Sequence, residues 1–80
     1  MQTAYIRLST IQDIKKFVEI ASLTPVEVDL CSDRYVVDGK SIMGIFSLDL
    51  LNPIELKAHT NDEGILANLL TQLAPFIVEE

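Results

Sequence analysis

Few side chains in this sequence could do chemistry, and their spacing matches no common catalytic site. His59 is the one histidine and Cys31 the one cysteine, so neither an internal disulfide nor a zinc site built from several cysteines can form. The sequence contains no hydrolytic arrangement of serine, histidine and aspartate and no glycine-rich phosphate loop. The neighbouring acids Asp62 and Glu63 suit a helix start better than acid–base catalysis. The sequence therefore predicts no enzyme, no cofactor and no metal site.

Ser41 is the strongest candidate for a functional side chain. It follows Lys40 and precedes a short apolar run, which places it at the start of a predicted helix. A serine there caps the helix by accepting a backbone hydrogen bond, which contributes about 1 kcal/mol. Phosphorylation would instead add roughly −1.5 to −2 charge beside free backbone N–H groups, where it is tolerated. The residue is thus either a plain helix cap or a phosphorylation site.

Ile42, Met43 and Phe46 extend this site as a predicted partner-binding surface, with Lys40 beside it. The short helix already has Ile45 and Leu48 to bury, so the three further apolar side chains are expected to stay partly exposed. Exposed apolar patches mark partner surfaces, and methionine adapts to several partners. The alternative is that these residues belong to the core or cover a dimer contact.

The elements that must position these residues follow from changes in hydrophobic period. Alternating segments predict four strands, at residues 3–8, 25–31, 34–37 and 54–59. Helical spacings predict three helices, from residue 9 or 10, from 41 to about 50, and from 60 until Pro75 kinks or ends the last one. Ser9 with Gln12, and Thr60 with Glu63, fit capping boxes. The predicted buried stripes are Ile11, Ile14, Phe17, Val18 and Ala21 in the first helix, and Ile65, Leu66, Leu69, Leu70, Leu73 and Phe76 in the last.

The order β-α-β-β-α-β-α predicts a single α+β domain over residues 1–80, an open-faced sandwich. Its four-stranded antiparallel sheet would carry three helices on one face. A ferredoxin-like fold and the fold of the bacterial phosphocarrier HPr share the first six of these elements. The local pattern alone does not choose between them.

Residues 40–48, Lys-Ser-Ile-Met-Gly-Ile-Phe-Ser-Leu, distinguish between these two folds. It resembles the segment around the regulatory serine of HPr, the phosphocarrier of the sugar phosphotransferase system, which runs Lys-Ser-Ile-Met-Gly and ends in Ser-Leu. Ala21-Ser22 upstream and Asn61-Asp62-Glu63 downstream lie at the family's usual distances. The resemblance covers residues 4–74 and implies the HPr-like fold.

One part of the chain departs from the HPr pattern. HPr proteins carry their phosphoryl group on a histidine between the first strand and the first helix, within His-x-Arg-Pro. Residues 7–13 here read Arg-Leu-Ser-Thr-Ile-Gln-Asp, without histidine or proline and in a shorter loop. Antiparallel pairing of the first and fourth strands would place His59 at the far end of the sheet. The phosphocarrier site is therefore predicted to be deleted.

The resemblance also implies partners and a use for Ser41. A dedicated HPr kinase would phosphorylate it, and the phosphorylated form would bind a transcriptional regulator. Ile42, Met43 and Phe46 correspond to the surface that binds transferase enzymes and regulators. The sequence thus favours a regulatory or protein-binding module. The alternatives are a degenerate but working phosphotransfer component that uses His59 or another residue, or a structural subunit of a larger assembly.

The charge balance limits the partners further. The chain has a net charge of −6 and a pI near 4.5, so nucleic acid and anionic membrane surfaces are not expected partners, whereas a basic protein surface is. No export signal and no run of about 18 apolar residues is found. With no paired cysteines, these features predict a cytoplasmic protein. They leave the oligomeric state open.

Overall fold

The computed structural model describes residues 2–32 and 35–78, and the side chains of 3–32 and 35–78. In chain order the elements are β1 Gln2–Ile6, α1 Ile11–Leu23, β2 Val28–Ser32, β3 Tyr35–Asp38, α2 Ile42–Phe46, β4 Ile54–Ala58, α3 Glu63–Gln72, a 3-10 turn Ala74–Phe76 and β5 Ile77–Val78. The strands form one antiparallel sheet in the order β3-β2-β4-β1-β5. The predicted open-faced α+β fold is confirmed.

Among the described residues the sheet has five strands, not the four that were predicted. Pro75 ends α3 as expected, and the chain then makes a 3-10 turn before Ile77 and Val78 pair with Ile6 and Tyr5 of β1. Two residues are too few to produce a detectable alternation, so the hydrophobic pattern could not indicate β5.

One face of the sheet carries the core. Ile6, Leu30 and Leu56 point to the face on which the helices lie, and each is at most 1% exposed. The helices complete the same cluster through their buried residues, Ile14, Phe17, Ile20 and Ala21 of α1, Ile45 of α2, and Leu66 and Leu69 of α3. The opposite face carries half-buried Tyr5, Cys31 and Glu55. Because the side chains of a strand alternate between faces, this pattern gives one covered and one open face.

The first helix begins at Thr10, one of its two predicted starts, but both capping boxes differ from those predicted. Thr10, not Ser9, is the N-cap of α1, and its capping-box partner is Asp13, not Gln12. Asp62, not Thr60, caps α3, because its carboxylate accepts hydrogen bonds from the N–H groups of Gly64 and Ile65. Asp13 in the first turn of α1 bonds back to the N–H groups of Ser9 and Thr10, whereas Asp62 caps α3 from the position before it. These aspartates take the places of the predicted Ser9–Gln12 and Thr60–Glu63 boxes.

The buried stripes are rotated slightly from the predicted ones. The stripe of α1 centres on Phe17 and includes Ile20, which leaves Ile11 57% exposed. Leu70 of α3 is 36% exposed, because Leu66, Leu69 and Leu73 supply the buried face. At about 100° per residue, Ile11 and Leu70 lie at the margins of their stripes.

Several elements are shorter than the sequence predicted. β1 ends at Ile6 and β2 begins only at Val28. α2 ends at Phe46 instead of near residue 50, because the Ser47 N–H donates to the carbonyls of Gly44 and Ile45 and its hydroxyl to that of Gly44. The predicted turn at Ser32-Asp33 and the start of the third strand at Arg34 lie partly outside the described residues. No helix within ranges 2–32 and 35–78 is long and apolar enough to cross a membrane.

Candidate functional site

Ser41 lies where β3 gives way to α2, and it is the N-cap of that helix. Its Oγ accepts a hydrogen bond from the Gly44 N–H at 3.2 Å, and its carbonyl accepts one from the Ile45 N–H at 3.1 Å. Its own N–H donates to the Asp38 carbonyl at 2.9 Å. The predicted capping role is confirmed, and the residue is half-buried.

The turn before Ser41 is held by Asp38 and Gly39. The Asp38 carboxylate accepts a hydrogen bond from the Lys40 N–H at 2.8 Å, while the Gly39 N–H donates to the Val28 carbonyl at 2.7 Å. A Cβ at position 39 would lie 2.9 Å from that same carbonyl oxygen, so only glycine fits without a shift. The turn therefore fixes Ser41 relative to the edge of the sheet.

The predicted partner surface divides into exposed and half-buried residues. Met43 is 76% exposed and Phe46 43%, and the two lie one turn apart on α2. Ile42 is half-buried and packs against the core, and Lys40 is exposed. Leu51, which the sequence reading did not single out, is 86% exposed in the turn after α2. The sequence feature that could have indicated its exposure is its position directly before the turn-forming pair Asn52-Pro53.

The start of α1, where HPr proteins carry their histidine, is occupied by a carboxylate of the chain itself. Asp13 accepts hydrogen bonds from the backbone N–H groups of Ser9 at 3.0 Å and Thr10 at 3.2 Å. The Asp13 N–H in turn donates to the Thr10 hydroxyl at 3.1 Å. Backbone donors at a helix start are what a phosphate binds. Two of the N–H groups here, those of Ser9 and Thr10 just before the helix, already bind an anionic side chain.

His59 lies at the other end of the sheet. It follows Ala58, which pairs with Gln2, whereas Ile54 at the opposite end of β4 pairs with Ile6, close to α1. The five residues of β4 span roughly 13 Å. The His59 Nε2 lies 2.6 Å from an Asp29 carboxylate oxygen, and both side chains are partly exposed. The predicted antiparallel pairing of β1 and β4, and with it the separation of His59 from the start of α1, is confirmed.

Cys31 lies on the open face of the sheet, on the polar side of β2 as the sequence predicted. Burial raises the pKa of its thiol, and the carboxylates of Glu55 and Asp29 raise the pKa further, while Lys57 opposes them. The thiol is therefore mostly protonated at neutral pH. The described residues include no group of three or more acidic, histidine or cysteine side chains placed to hold a metal ion.

Comparison with solved structures relates this architecture to HPr. The chain matches HPr-C-His from Thermoanaerobacter tengcongensis with a TM-score of 0.74 and 27% identity over 92% of each chain. It matches the phosphocarrier protein HPr from Bacillus anthracis str. Ames with a TM-score of 0.67 and 23% identity, over 90% of this chain and 95% of that one. No protein-family model and no curated protein matches the sequence. The predicted resemblance to HPr and the HPr-like fold are therefore confirmed.

Proposed function

We propose that the chain is an HPr-like regulatory module that acts by binding other proteins of, or related to, the sugar phosphotransferase system. It does not accept and pass on a phosphoryl group as a phosphocarrier does, and it is not an enzyme. Its similarity to HPr structures over about nine-tenths of its length supports the connection with phosphotransfer. The start of α1 supports the loss of the carrier step.

The observation that carries this proposal is the Asp13 carboxylate on the N–H groups of Ser9 and Thr10. A phosphoryl group at this helix start would need a histidine to receive it and free donors to stabilise it. Residues 7–13 contain no histidine. An arriving phosphoryl group would also be repelled by the charge of Asp13.

His59 is a poor replacement for the missing histidine. Its Nε2 is engaged by the Asp29 carboxylate, and it follows β4 at the end remote from the start of α1. A partner that bound α2 and the start of α1 would therefore not face this imidazole.

The partner surface in this proposal is formed by Lys40, Ile42, Met43 and Phe46. Met43 and Phe46 expose 76% and 43% of their surface in a short helix whose core contact comes from Ile45. Exposed side chains of this size contribute little to folding, so a binding role would account for them. Enzymes of the phosphotransferase system, a serine kinase and a transcriptional regulator are the partner classes that we propose.

Ser41 is the proposed regulatory position within this surface. In the reaction, its hydroxyl oxygen would attack the γ-phosphorus of ATP, lose its proton to a kinase base and release ADP. The added charge would lie beside the N–H of Gly44, which donates a hydrogen bond to the Ser41 hydroxyl in the unmodified chain. Lys40 is exposed next to it and could contribute to recognition.

The carrier step is tested with phosphoenolpyruvate and the enzyme that phosphorylates HPr. We expect no acid-labile phosphate on this chain by mass spectrometry, under conditions in which an authentic HPr is fully labelled. His59→Gln is the matched variant. Acid-labile phosphate that is lost in His59→Gln would establish a working phosphocarrier and overturn the proposal.

The regulatory step is tested with HPr kinase and ATP. We expect an acid-stable phosphate that is absent in Ser41→Ala and retained in Ser47→Ala, since Ser47 lies at the other end of the same helix. Labelling that persists in Ser41→Ala would contradict the assignment of the site.

The binding surface is tested with the regulator that recognises serine-phosphorylated HPr. Met43→Ala and Phe46→Ala should each raise the Kd for this regulator by about fivefold or more, because both side chains lie in the proposed surface. Leu23→Ala is the control, because Leu23 is 78% exposed at the far end of α1. Met43→Ala and Leu23→Ala should keep the free energy of unfolding within about 0.5 kcal/mol of the parent. Phe46→Ala should lower it further, because more than half of the Phe46 surface is buried. Equal binding by all three would contradict the proposed surface.

A further inference from the structure

The side chains on the open face of the sheet form two rows that cross the strands. Because directly paired residues of neighbouring strands project to the same face, the pairing register identifies the members of each row. The first row is mainly charged and contains Asp38, Asp29, Lys57 and Thr3. The second row is mainly apolar and contains Val36, Cys31, Glu55, Tyr5 and Val78.

The charges of these two rows are mostly negative. Asp29 and Asp38 lie directly opposite each other, and a like-charge pair of this kind destabilises a sheet. Lys57 is the one lysine or arginine in the two rows, and its Nζ lies 3.8 Å from a Glu55 carboxylate oxygen. Residues 33 and 34, an aspartate and an arginine, add no net charge to the strand end beside them. The described part of the open face therefore attracts cations.

A cleft of about 280 Å³ opens on this face beside Tyr5. Glu55 lines one part of it, and Asp49, from the turn between α2 and β4, lines another. The Asp49 carboxylate accepts hydrogen bonds from the Leu51 N–H and from the side-chain amide of Asn52, each at 3.0 Å. These two bonds hold the Asp49 side chain in place. The cleft thus combines two carboxylates with an aromatic ring.

We propose that the open face binds an extended basic segment of a protein partner, with one arginine side chain of that segment in the cleft between Asp49 and Glu55. A guanidinium group suits this cleft, because it donates to a carboxylate through two N–H groups and stacks on an aromatic ring such as that of Tyr5. Further cations of the segment would offset the repulsion between Asp29 and Asp38. The open face lies on the other side of the sheet from α2, so this binding site is independent of the surface proposed above.

The positions of the carboxylates indicate how the cations of the segment are spaced. Glu55 pairs with Cys31, two residues along β2 from Asp29, so Glu55 and Asp29 are diagonal neighbours about 7 to 8 Å apart. In an extended segment, side chains at alternate positions lie on the same side about 7 Å apart. Two arginines separated by one residue can therefore reach both carboxylates, whereas two adjacent arginines point to opposite sides.

The apolar residues of the second row favour a polypeptide over a small cation. Val36 is 64% exposed, and Tyr5 and Val78 are half-buried. The row crosses five strands and is therefore about 19 Å wide. An extended segment that lies over both rows packs the methylene groups of its arginines against these apolar side chains. A small diamine could satisfy the carboxylates but would cover only part of the row.

The first test is an NMR titration of the isotope-labelled full chain with the peptide acetyl-Ala-Arg-Ala-Arg-Ala-amide at low ionic strength, where charges are little screened. We expect the largest amide shifts at Tyr5, Cys31 and Glu55, and none at Met43 on α2. The isomer acetyl-Ala-Ala-Arg-Arg-Ala-amide has the same charge, and cadaverine is a small diamine; each should bind about threefold or more weakly. Equal binding by either control, or shifts centred on α2, would overturn the proposal.

The second test separates the charge of the open face from the net charge of the chain. Glu55→Gln should raise the Kd for the alternating peptide by about threefold, whereas Lys57→Gln should lower it by about twofold, because it removes the competing cation. Glu19→Gln and Lys16→Gln are the matched controls, since they make the same charge changes at exposed positions of α1, on the other side of the sheet. Equal changes in Kd for each variant and its control would overturn the proposal, as would an unchanged Kd in Glu55→Gln.

Discussion

The carboxylate of Asp13 accepts a hydrogen bond at 3.0 Å from the backbone N–H of Ser9, four residues earlier in the chain. The same carboxylate oxygen accepts the N–H of Thr10 at 3.2 Å. One side chain thus satisfies the donors that precede α1 and places a negative charge where HPr proteins carry a phosphoryl group. Local folding and the proposed loss of the carrier step have the same cause.

Replacing Asp13 should destabilise the chain by removing this cap. Asp13→Ala leaves the N–H groups of Ser9 and Thr10 without their acceptor, and we expect the free energy of unfolding to fall by about 1 kcal/mol. Urea denaturation followed by circular dichroism measures the change. Glu19→Ala is the control, because Glu19 is exposed on the same helix and should cost less than about 0.5 kcal/mol. Equal losses would show that the capping box contributes nothing specific.

Restoring a histidine should not restore the carrier step. Ser9→His supplies an imidazole at the start of α1, but the neighbouring donors remain bound to Asp13. We expect no acid-labile phosphate after incubation with phosphoenolpyruvate and the enzyme that phosphorylates HPr. Phosphorylation of this single variant to the level of an authentic HPr would mean that Asp13 does not block the site.

The sequence predicted the fold well because its strands and helices have distinct hydrophobic periods. β4 was predicted almost to the residue, since Ile54, Leu56 and Ala58 alternate with polar residues and all three are buried. The ends of elements were less predictable, because they depend on competing side-chain hydrogen bonds. Thr10 and Asp62 outcompete Ser9 and Thr60 as caps through contacts that periodicity does not contain.

The candidate site was predicted in part for the same reason. Ser41 was identified as a cap from its position before an apolar run, and its contact with Gly44 agrees. The role of Asp13 was not predicted, since a carboxylate that folds back on Ser9 resembles any other acid in a first turn. The two rows of the open face were likewise not predicted, because strand order is a long-range property of the whole sheet.

The thiol of Cys31 should react slowly for a cysteine that is not fully buried. Burial raises its pKa above the ordinary value of 9.0, with Glu55 and Asp29 adding to the rise. Only the thiolate reacts, so the alkylation rate at pH 8 should lie below that of a small exposed thiol and should increase at higher pH. Lys57→Gln removes the one lowering charge and should slow the reaction further, whereas Glu55→Gln should speed it. The opposite order for these two variants would contradict the assigned causes.

Gly39 and Gly64 should respond in opposite ways to a single added methyl group. At Gly39 the new Cβ would lie 2.9 Å from the backbone oxygen of Val28, which cannot move without disturbing β2. Gly39→Ala should therefore cost about 1 to 3 kcal/mol. At Gly64 the Cβ meets only the Asp62 carboxylate, at 3.2 Å, and alanine favours the helix by up to about 1 kcal/mol. Urea unfolding of both variants against the parent measures these shifts. A loss in Gly64→Ala as large as that in Gly39→Ala would mean that backbone crowding at the turn before Ser41 is not what requires glycine there.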